Sequence, residues 1–189
     1  EYYSPILFLI LGGAFIALTV ERTGMHRRIA LWILGFAGQS RFGLLLAFMA
    51  ATAFISMWIS NTSTALIMMP IALAVLVAGG VAEDETDGMA GALVLGVAFA
   101  ASLGGLGTLV GSPTNPIAVG LIEKQVGMNI SFADWSSFGI PILLVAIPLA
   151  ALVLAKVQKI EATAFDPKAA RSAIGTQGPW TVAEIRLLP

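Results

Sequence analysis

Cysteine and histidine are almost missing from this sequence, which has no cysteine and a single histidine, His26. Without cysteine, the chain can form neither a disulfide framework nor a thiolate metal site. His26 lies in a basic cluster and has no set of metal ligands around it. Charged residues make up only 11% of the chain, whereas a soluble domain has about one-quarter. The net charge of -1 offers no attraction to nucleic acid.

Apolar residues are abundant, at 58% of the chain, and they stand in continuous runs. A strand of a membrane β-barrel would instead alternate apolar and polar residues. A spanning helix needs roughly 20 mostly apolar residues, and several of the runs approach that length. The composition therefore predicts an all-α integral membrane protein.

A polar pentapeptide, Ser60 to Thr64, interrupts the apolar stretch 42–82. Unpaired polar groups in hydrocarbon cost several kcal/mol each, so these side chains need partners. One interpretation is a tight turn between two spanning helices, with Ser60 or Asn61 as the N-cap of the second helix. The other is a binding site inside the membrane. Each arm is long enough to span, and Pro70 favours a kink in the second.

A second break, rich in glycine, covers 104–116 and follows the apolar run 89–103. Asn115 and Pro116 suit the N-cap and first position of a short helix over 117–122. Two hydrophobic segments that are both interrupted in this way are typical of transporters, whose binding sites are built from helix ends.

The other apolar runs predict further membrane segments. The runs 5–20 and 138–154 have the composition of spans. The run 29–38 is too short to span. It predicts an interfacial helix on the cytoplasmic leaflet or, equally well, a buried connecting helix.

Basic residues set the predicted orientation, because cytoplasmic loops are enriched in lysine and arginine. We assume that the hairpin around Ser60 starts and ends on the same side of the membrane. Nearly all the basic residues in and between the predicted spans then lie on that side, which makes it the cytoplasmic side. Only Lys124 lies outside. The residues placed inside are Arg22, Arg27, Arg28, Arg41, Lys156 and Lys159.

The helix ends at the two breaks carry the predicted chemistry. The first arm ends with unpaired carbonyls near 56–59, and the arm from Thr62 begins with unpaired N–H groups. The second break repeats this pair of ends, so together they predict an all-oxygen cation site beside an anion site. Sodium suits such neutral oxygen ligands. The apolar segments hold no acidic residue for a proton relay, and no base stands beside the breaks for an enzyme.

These residues resemble a known family. Four stretches are similar to the first repeat of the divalent anion/sodium symporters. They are MWISNTSTALIMMP around Ser60, the sequence Gly111 to Asn115, the run LGGAFIALTVERTGMHRRIALWIL and the segment ADWSSFG at 133–139. These are sodium-coupled carriers of citrate, C4-dicarboxylates or sulfate. The similarity covers nearly the whole chain, although Thr114 stands where the family often has proline.

The resemblance implies roles for particular residues. It implies a re-entrant hairpin that opens from the cytoplasm, with its tip near the membrane midplane, and a homodimer that works by an elevator-like motion. Sodium would be bound around Ser56, Ser60, Asn61 and Gly111. The substrate carboxylate would be met by Asn61, Thr62 and Ser112.

The resemblance also implies an inverted second repeat, of which this sequence has no copy, so we expect it to hold one half of the site. The expected division is a first span with an interfacial helix on the scaffold side (1–41), a re-entrant hairpin (42–82), a broken transmembrane helix (89–123), a last span (131–160) and a linker toward the second repeat (161–189).

Two other functions stay open at this point. One is a sulfate or arsenite carrier, or an ion antiporter, of the same superfamily. The other is a membrane scaffold that transports nothing, in which Ser60 to Thr64 is merely a turn. The expected location is the cell membrane, as a multi-pass protein of a bacterial inner membrane.

Overall fold

The computed structural model describes residues 5–35, 40–82, 85–162 and 165–173, and this part of the chain contains helices and no strand. The predicted all-α class is therefore confirmed. The described helices are α1 (Pro5–Thr23), α2 (Met25–Leu34), α3 (Arg41–Ser56), α4 (Asn61–Ala78), α5 (Gly88–Gly104), α6 (Thr114–Val126), α7 (Phe132–Val157), a 3₁₀ turn (Ile160–Ala162) and α8 (Pro167–Ala173).

Helices α3 and α5 form the centre of the fold. Small residues recur every fourth position along the buried face of α5, at Ala92, Gly96, Ala100 and Gly104, and this spacing puts them on one face of the helix. Small side chains let helix backbones approach closely, as in membrane helix pairs. Gly96 faces Leu45 and Met49 of α3, while Gly104 faces the backbone of Ala53. The two helices therefore run in the same direction.

The ends of five helices meet at two opposite levels. At one level, which we call the break layer, α3 and α5 end while α4 and α6 begin. Asn61 at the start of α4 lies against Gly105 at the end of α5. At the other level, the base, α3 begins, α4 ends at its C-cap Gly79 and α7 ends at Val157.

Helix α7 passes the break layer without ending there. Its 26 residues span about 39 Å. Gly139 packs against the carbonyls of Leu106 and Gly107 at the break. The stretch from Phe132 to Gly139 therefore extends roughly 10 Å beyond the break layer.

The base is closed by the segment that follows α7. Arg41 donates to the carbonyl and carboxylate of Glu161, at 3.2 Å each, and to the carbonyl of Phe165 at 3.3 Å. The Phe165 ring packs directly on Gly79, and the Asp166 N–H donates to the Gly79 carbonyl at 2.9 Å. Within the range of the expected linker, 161–189, Phe165 and Ala170 are buried, as is Ile160 just before it. Residues 174–189 lie outside the described residues.

Helix α2 starts earlier than the predicted run 29–38, at Met25 within the basic cluster. Ala30 and Leu34 are fully buried and pack against α3, while Trp32 on the opposite face is exposed. The buried face of α2 is what the predicted connecting helix would show. Its exposed face is what the alternative prediction, an interfacial helix, would require. Residues 36–39 lie outside the described residues.

Several predicted boundaries are corrected. Helix α6 begins at Thr114 with Pro113 as its N-cap, so the predicted cap role of Asn115 is wrong. Instead, the Asn115 side chain is buried inside the preceding loop. Helix α6 continues to Val126, and α7 starts at Phe132 because Ser131 and Asp134 form a capping box.

Two described helices, Asn61–Ala78 and Phe132–Val157, are long and apolar enough to cross a membrane. The helices Arg41–Ser56 and Gly88–Gly104 are apolar but shorter. Many large apolar side chains of α7 are exposed, with Phe138 at 73% and Leu144 at 71%. Such a surface needs lipid or further protein to cover it.

Candidate functional site

The turn between α3 and α4 has the cap that the sequence predicts. The Ser60 hydroxyl accepts from the Ser63 N–H at 3.2 Å and bonds the Ser63 hydroxyl at 3.0 Å. The Ser60 carbonyl accepts from the Thr64 N–H at 2.9 Å. Ser60 is therefore the N-cap of α4. Its side chain is turned toward the first turn of its own helix.

Three oxygen atoms meet at the end of α3. The Ser56 hydroxyl is fully buried, 2.8 Å from Asn61 Oδ1 and 2.7 Å from the Ala101 carbonyl oxygen. A serine hydroxyl has one proton, so it can donate to only one of these acceptors at a time. The other acceptor is then left for a different donor or for a cation.

A second group of oxygens surrounds Gly111. A Cβ atom built on Gly111 would lie 2.8 Å from the Gly105 carbonyl oxygen and 3.1 Å from those of Ser56 and Met57. We call these three carbonyls the carbonyl ring. All three lie close to the place where a Gly111 side chain would begin. Glycine is required here because a Cβ atom would crowd these oxygens.

Two buried polar side chains donate hydrogen bonds to carbonyls of this ring. The Thr108 hydroxyl donates to the Met57 carbonyl and accepts from the Gly111 N–H at 3.1 Å. Asn115 Nδ2 donates to the carbonyls of Gly105, at 2.7 Å, and Thr108, at 2.9 Å. Both side chains are almost completely buried. The loop carbonyls are thus satisfied by protein donors where water is excluded.

Helix α7 supports the same loop from the outside. The Trp135 indole N–H donates to the Leu106 carbonyl at 2.9 Å. Gly139 allows a close approach, since a Cβ atom there would lie 2.8 Å from the carbonyl oxygens of Leu106 and Gly107. The loop that follows α5 therefore packs against α7, which continues past it without a break.

A cavity of about 390 Å³ lies beside the carbonyl ring, between the two breaks and α1. Its polar side is formed by the hydroxyls of Ser60, Ser63 and Ser112. The Ser112 hydroxyl bonds that of Thr114 at 2.8 Å. No charged side chain lines this cavity among the described residues. Its apolar side is formed by Ala14, Leu18, Trp58, Ile59, Val110, Pro113 and Pro116, together with the glycines Gly13 and Gly111.

The electrostatics of the break layer come from the helix ends. The C-termini of α3 and α5 direct partial negative charge toward it, and the N-termini of α4 and α6 direct partial positive charge. The described residues contain no cluster of three or more His, Asp or Glu side chains that could hold a metal ion. The site thus offers neutral oxygens to a cation and N–H groups to an anion.

Comparison with known proteins identifies the family of this chain. A family described as citrate transporter matches residues 1–183. The chain belongs to the citrate transporter family. The sodium-dependent dicarboxylate transporter SdcS of Staphylococcus aureus strain USA300 is 39% identical over 160 residues, which are 82% of this chain and 31% of that protein. The same protein of strain NCTC 8325 gives the same identity and coverage.

Membership of the citrate transporter family confirms the resemblance that the Ser-Asn-Thr motif and the second break indicate. The family and these relatives are named as transporters, and neither name describes an enzyme. The chain spans about a third of the length of the curated relatives that it matches.

The structure brings five of the six predicted site residues to the ring or to the cavity beside it, and Gly111 borders both. Ser56, Asn61 and Gly111 lie together at the ends of α3 and α5. Ser60 and Ser112 line the neighbouring cavity. Thr62 is exposed in the first turn of α4 and lines neither of these places.

Sequence reasoning missed the buried pair Thr108 and Asn115. Thr108 is the one hydroxyl residue in the stretch 104–111, which is otherwise apolar and rich in glycine. Asn115 was noticed only as a helix cap, because the Asn-Pro pair suits that position. Their bonds to carbonyls of other segments depend on the packing of α3 against the break, which local sequence does not encode.

Proposed function

We propose that this chain carries part of a secondary active transporter that moves sodium together with a divalent anion, such as a C4-dicarboxylate or citrate. We place it in the cell membrane as a multi-pass protein, in a bacterial inner membrane. The observation that carries the proposal is the carbonyl ring at Gly111 beside the oxygens of Ser56 and Asn61. The names of the relatives supply the classes of ion and anion.

Sodium fits the oxygens around Gly111 for a chemical reason. Hard cations prefer oxygen ligands from carbonyls, hydroxyls and amides. We propose Ser56, Asn61 and Gly111 as the centre of the sodium site. Ser60 joins it as a fourth ligand, because its hydroxyl can cap α4 with one lone pair and keep the other for the ion.

The anion is proposed to bind at the positive ends of α4 and α6. Asn61, Thr62 and Ser112 offer amide, hydroxyl and backbone N–H donors there, as helix N-termini do for anions generally. Sodium bound next to Asn61 would add a positive charge beside the carboxylate. That attraction supplies a physical basis for coupling, because each ion binds better when the other is present.

The hairpin α3–α4 is proposed to be re-entrant, with its tip inside the membrane. The length of α7 supports this, since it extends roughly 10 Å beyond the break layer. We further propose that the hairpin (42–82), the broken helix (89–123) and the last span (131–160) move as one body. They would move past a scaffold side that includes 1–41, in an elevator-like motion within a homodimer.

Sodium dependence tests the proposed ligands. Ser56→Ala and Asn61→Ala should each raise the sodium concentration for half-maximal succinate uptake roughly tenfold, because each removes an oxygen that is buried or half-buried at the site. The measurement is a sodium titration of uptake into membrane vesicles from cells that express the gene encoding this chain. The matched control is Thr19→Ala, whose exposed hydroxyl bonds only its own helix. An unchanged sodium requirement in both site variants would place the cation elsewhere.

Cysteine labelling tests the re-entrant tip without background, since the sequence has no cysteine. Ser60→Cys and Thr62→Cys should react with a membrane-impermeant maleimide from the cytoplasmic side, and bound dicarboxylate should slow both reactions severalfold. Thr86→Cys, exposed near the base, serves as the control that substrate does not protect. Fast labelling of both tip positions from the outside, unaffected by substrate, would support the simple turn and the scaffold protein instead.

A further inference from the structure

Thr108 and Asn115 are the two buried polar side chains that the proposed ligand set does not use. Their exposures are 1% and 3%. Between them they donate to two of the three carbonyls in the ring, those of Met57 and Gly105. The third, Ser56, is the last residue of α3, and its carbonyl oxygen accepts no hydrogen bond within the described part of the chain. Two of the three carbonyls of the ring are therefore held by side chains that are not themselves part of the ring.

Each carbonyl oxygen has two lone pairs. The Met57 carbonyl accepts from Thr108 with one lone pair, and the Gly105 carbonyl accepts from Asn115. The second lone pair of each oxygen remains for an ion. The donor fixes the direction of the C=O bond, because a hydrogen bond is strongest near the lone-pair direction. Asn115 uses both of its N–H donors, on Gly105 and on Thr108, so it also ties the two sides of the loop together.

We propose that Thr108 and Asn115 are positioning residues that fix the carbonyl ring, and that they thereby set its affinity for sodium and its preference for sodium over lithium. This inference rests on the proposed sodium site. Lithium is the smaller ion and needs its oxygens closer together. A ring that is held at fixed positions cannot contract around lithium, whereas a loosened ring can.

Sodium-dependent thermal stability is the direct test, because it needs no substrate and no transport. The protein is purified in detergent from cells that express the gene encoding this chain. Its melting temperature is followed as sodium chloride, or lithium chloride, replaces choline chloride at constant ionic strength. A ligand that binds the folded state raises the melting temperature with a concentration dependence that reports its affinity.

Thr108→Val removes the hydroxyl at nearly constant volume and should raise the half-maximal sodium concentration roughly tenfold. It should also bring the sodium and lithium values closer together. Thr108→Ser keeps the donor and should behave like the unmodified protein. Asn115→Asp keeps the size but loses both N–H donors, and should match Thr108→Val. The matched control is Thr52→Val, which removes an equally buried hydroxyl that bonds only its own helix.

The outcomes separate the two proposals. If sodium gives no more stabilisation than choline in the unmodified protein, the proposed sodium site is wrong and this inference falls with it. If the unmodified protein responds and Thr108→Val keeps the same affinity and ion preference, only the positioning role is wrong. If Thr108→Val does not fold, Asn115→Asp and Thr108→Ser decide. A serine variant that loses the sodium response would show that Thr108 acts by filling space, which overturns the inference.

Discussion

Gly111→Ala should abolish the sodium response of this protein. The added methyl group would stand 2.8 to 3.1 Å from the three carbonyl oxygens of the ring, so these oxygens would have to move and could not bind the ion as proposed. We expect the sodium affinity to fall at least about a hundredfold, which corresponds to roughly 2.7 kcal/mol. The measurement is the sodium dependence of the melting temperature, with succinate uptake in vesicles as the second readout.

The control for this substitution is Gly12→Ala in α1, where an added Cβ meets nothing within 4 Å. Alanine in place of a helical glycine is worth about 0.5–1 kcal/mol of added stability, so this variant should keep the sodium response. Gly111→Ala protein that folds and responds to sodium like Gly12→Ala would rule out the carbonyl ring as the cation site.

Gly104→Ala should destabilise the fold itself. Its Cβ would collide with the backbone carbonyl oxygen of Ala53 and lie 2.7 Å from the Ala53 Cα atom. Backbone atoms cannot turn aside as a side chain can, so α3 and α5 would have to separate. Overpacking of this kind costs about 1–3 kcal/mol or more. We therefore expect the melting temperature to fall by roughly 4–10 °C in a chain of this size.

Gly96→Ala is the matched control on the same helix and the same face. An added Cβ there would lie 3.0 Å from Leu45 Cδ1 and 3.2 Å from Met49 Cγ. These are side-chain atoms that can shift by a few tenths of an ångström, so the melting temperature should change by only about 1–3 °C. Equal effects at Gly96 and Gly104 would contradict the close backbone contact between α3 and α5.

The sequence permits prediction of the two breaks and of three residues that meet there. A polar pentapeptide inside an apolar run has to be a cap, a turn or a site, and Ser60 is indeed the cap. Ser56, Asn61 and Gly111 were identified through the family resemblance, and the structure places them together. The breaks were accessible because the cost of unpaired polar groups in an apolar setting is a local property, whereas the three residues came from the resemblance alone.

The role of Asn115 could not be predicted, although its position was noticed. Asn-Pro at a helix start has the pattern of an N-cap, and local pattern was the only evidence available. In the folded chain, the Gly105 carbonyl is shielded from water and accepts no backbone hydrogen bond within the described residues, so it needs the Asn115 donor. The Thr108 carbonyl accepts from both Asn115 and the Gly111 N–H. The need for a donor arises from tertiary packing, and it outweighed the capping preference.

The packing of the segment after α7 could not be predicted for a related reason. Its proline, glycine and serine content is typical of a linker. Yet Ile160, Phe165 and Ala170 are buried, and Arg41 joins this segment to the start of α3. These apolar positions are too widely spaced to show a helical or strand pattern. They are buried because the segment packs on the base of the hairpin, where Gly79 has no side chain and the Phe165 ring lies directly against it.

Sodium-gradient-driven uptake tests the central claim most directly, namely that the two breaks form one site that couples sodium to a divalent anion. Sealed vesicles from cells that express the gene encoding this chain are given labelled succinate under an inward sodium gradient. Vesicles from cells without the gene provide the background. The account predicts accumulation above that background, which disappears when potassium replaces sodium or when an ionophore dissipates the gradient. Accumulation that is equal in sodium and potassium would contradict it.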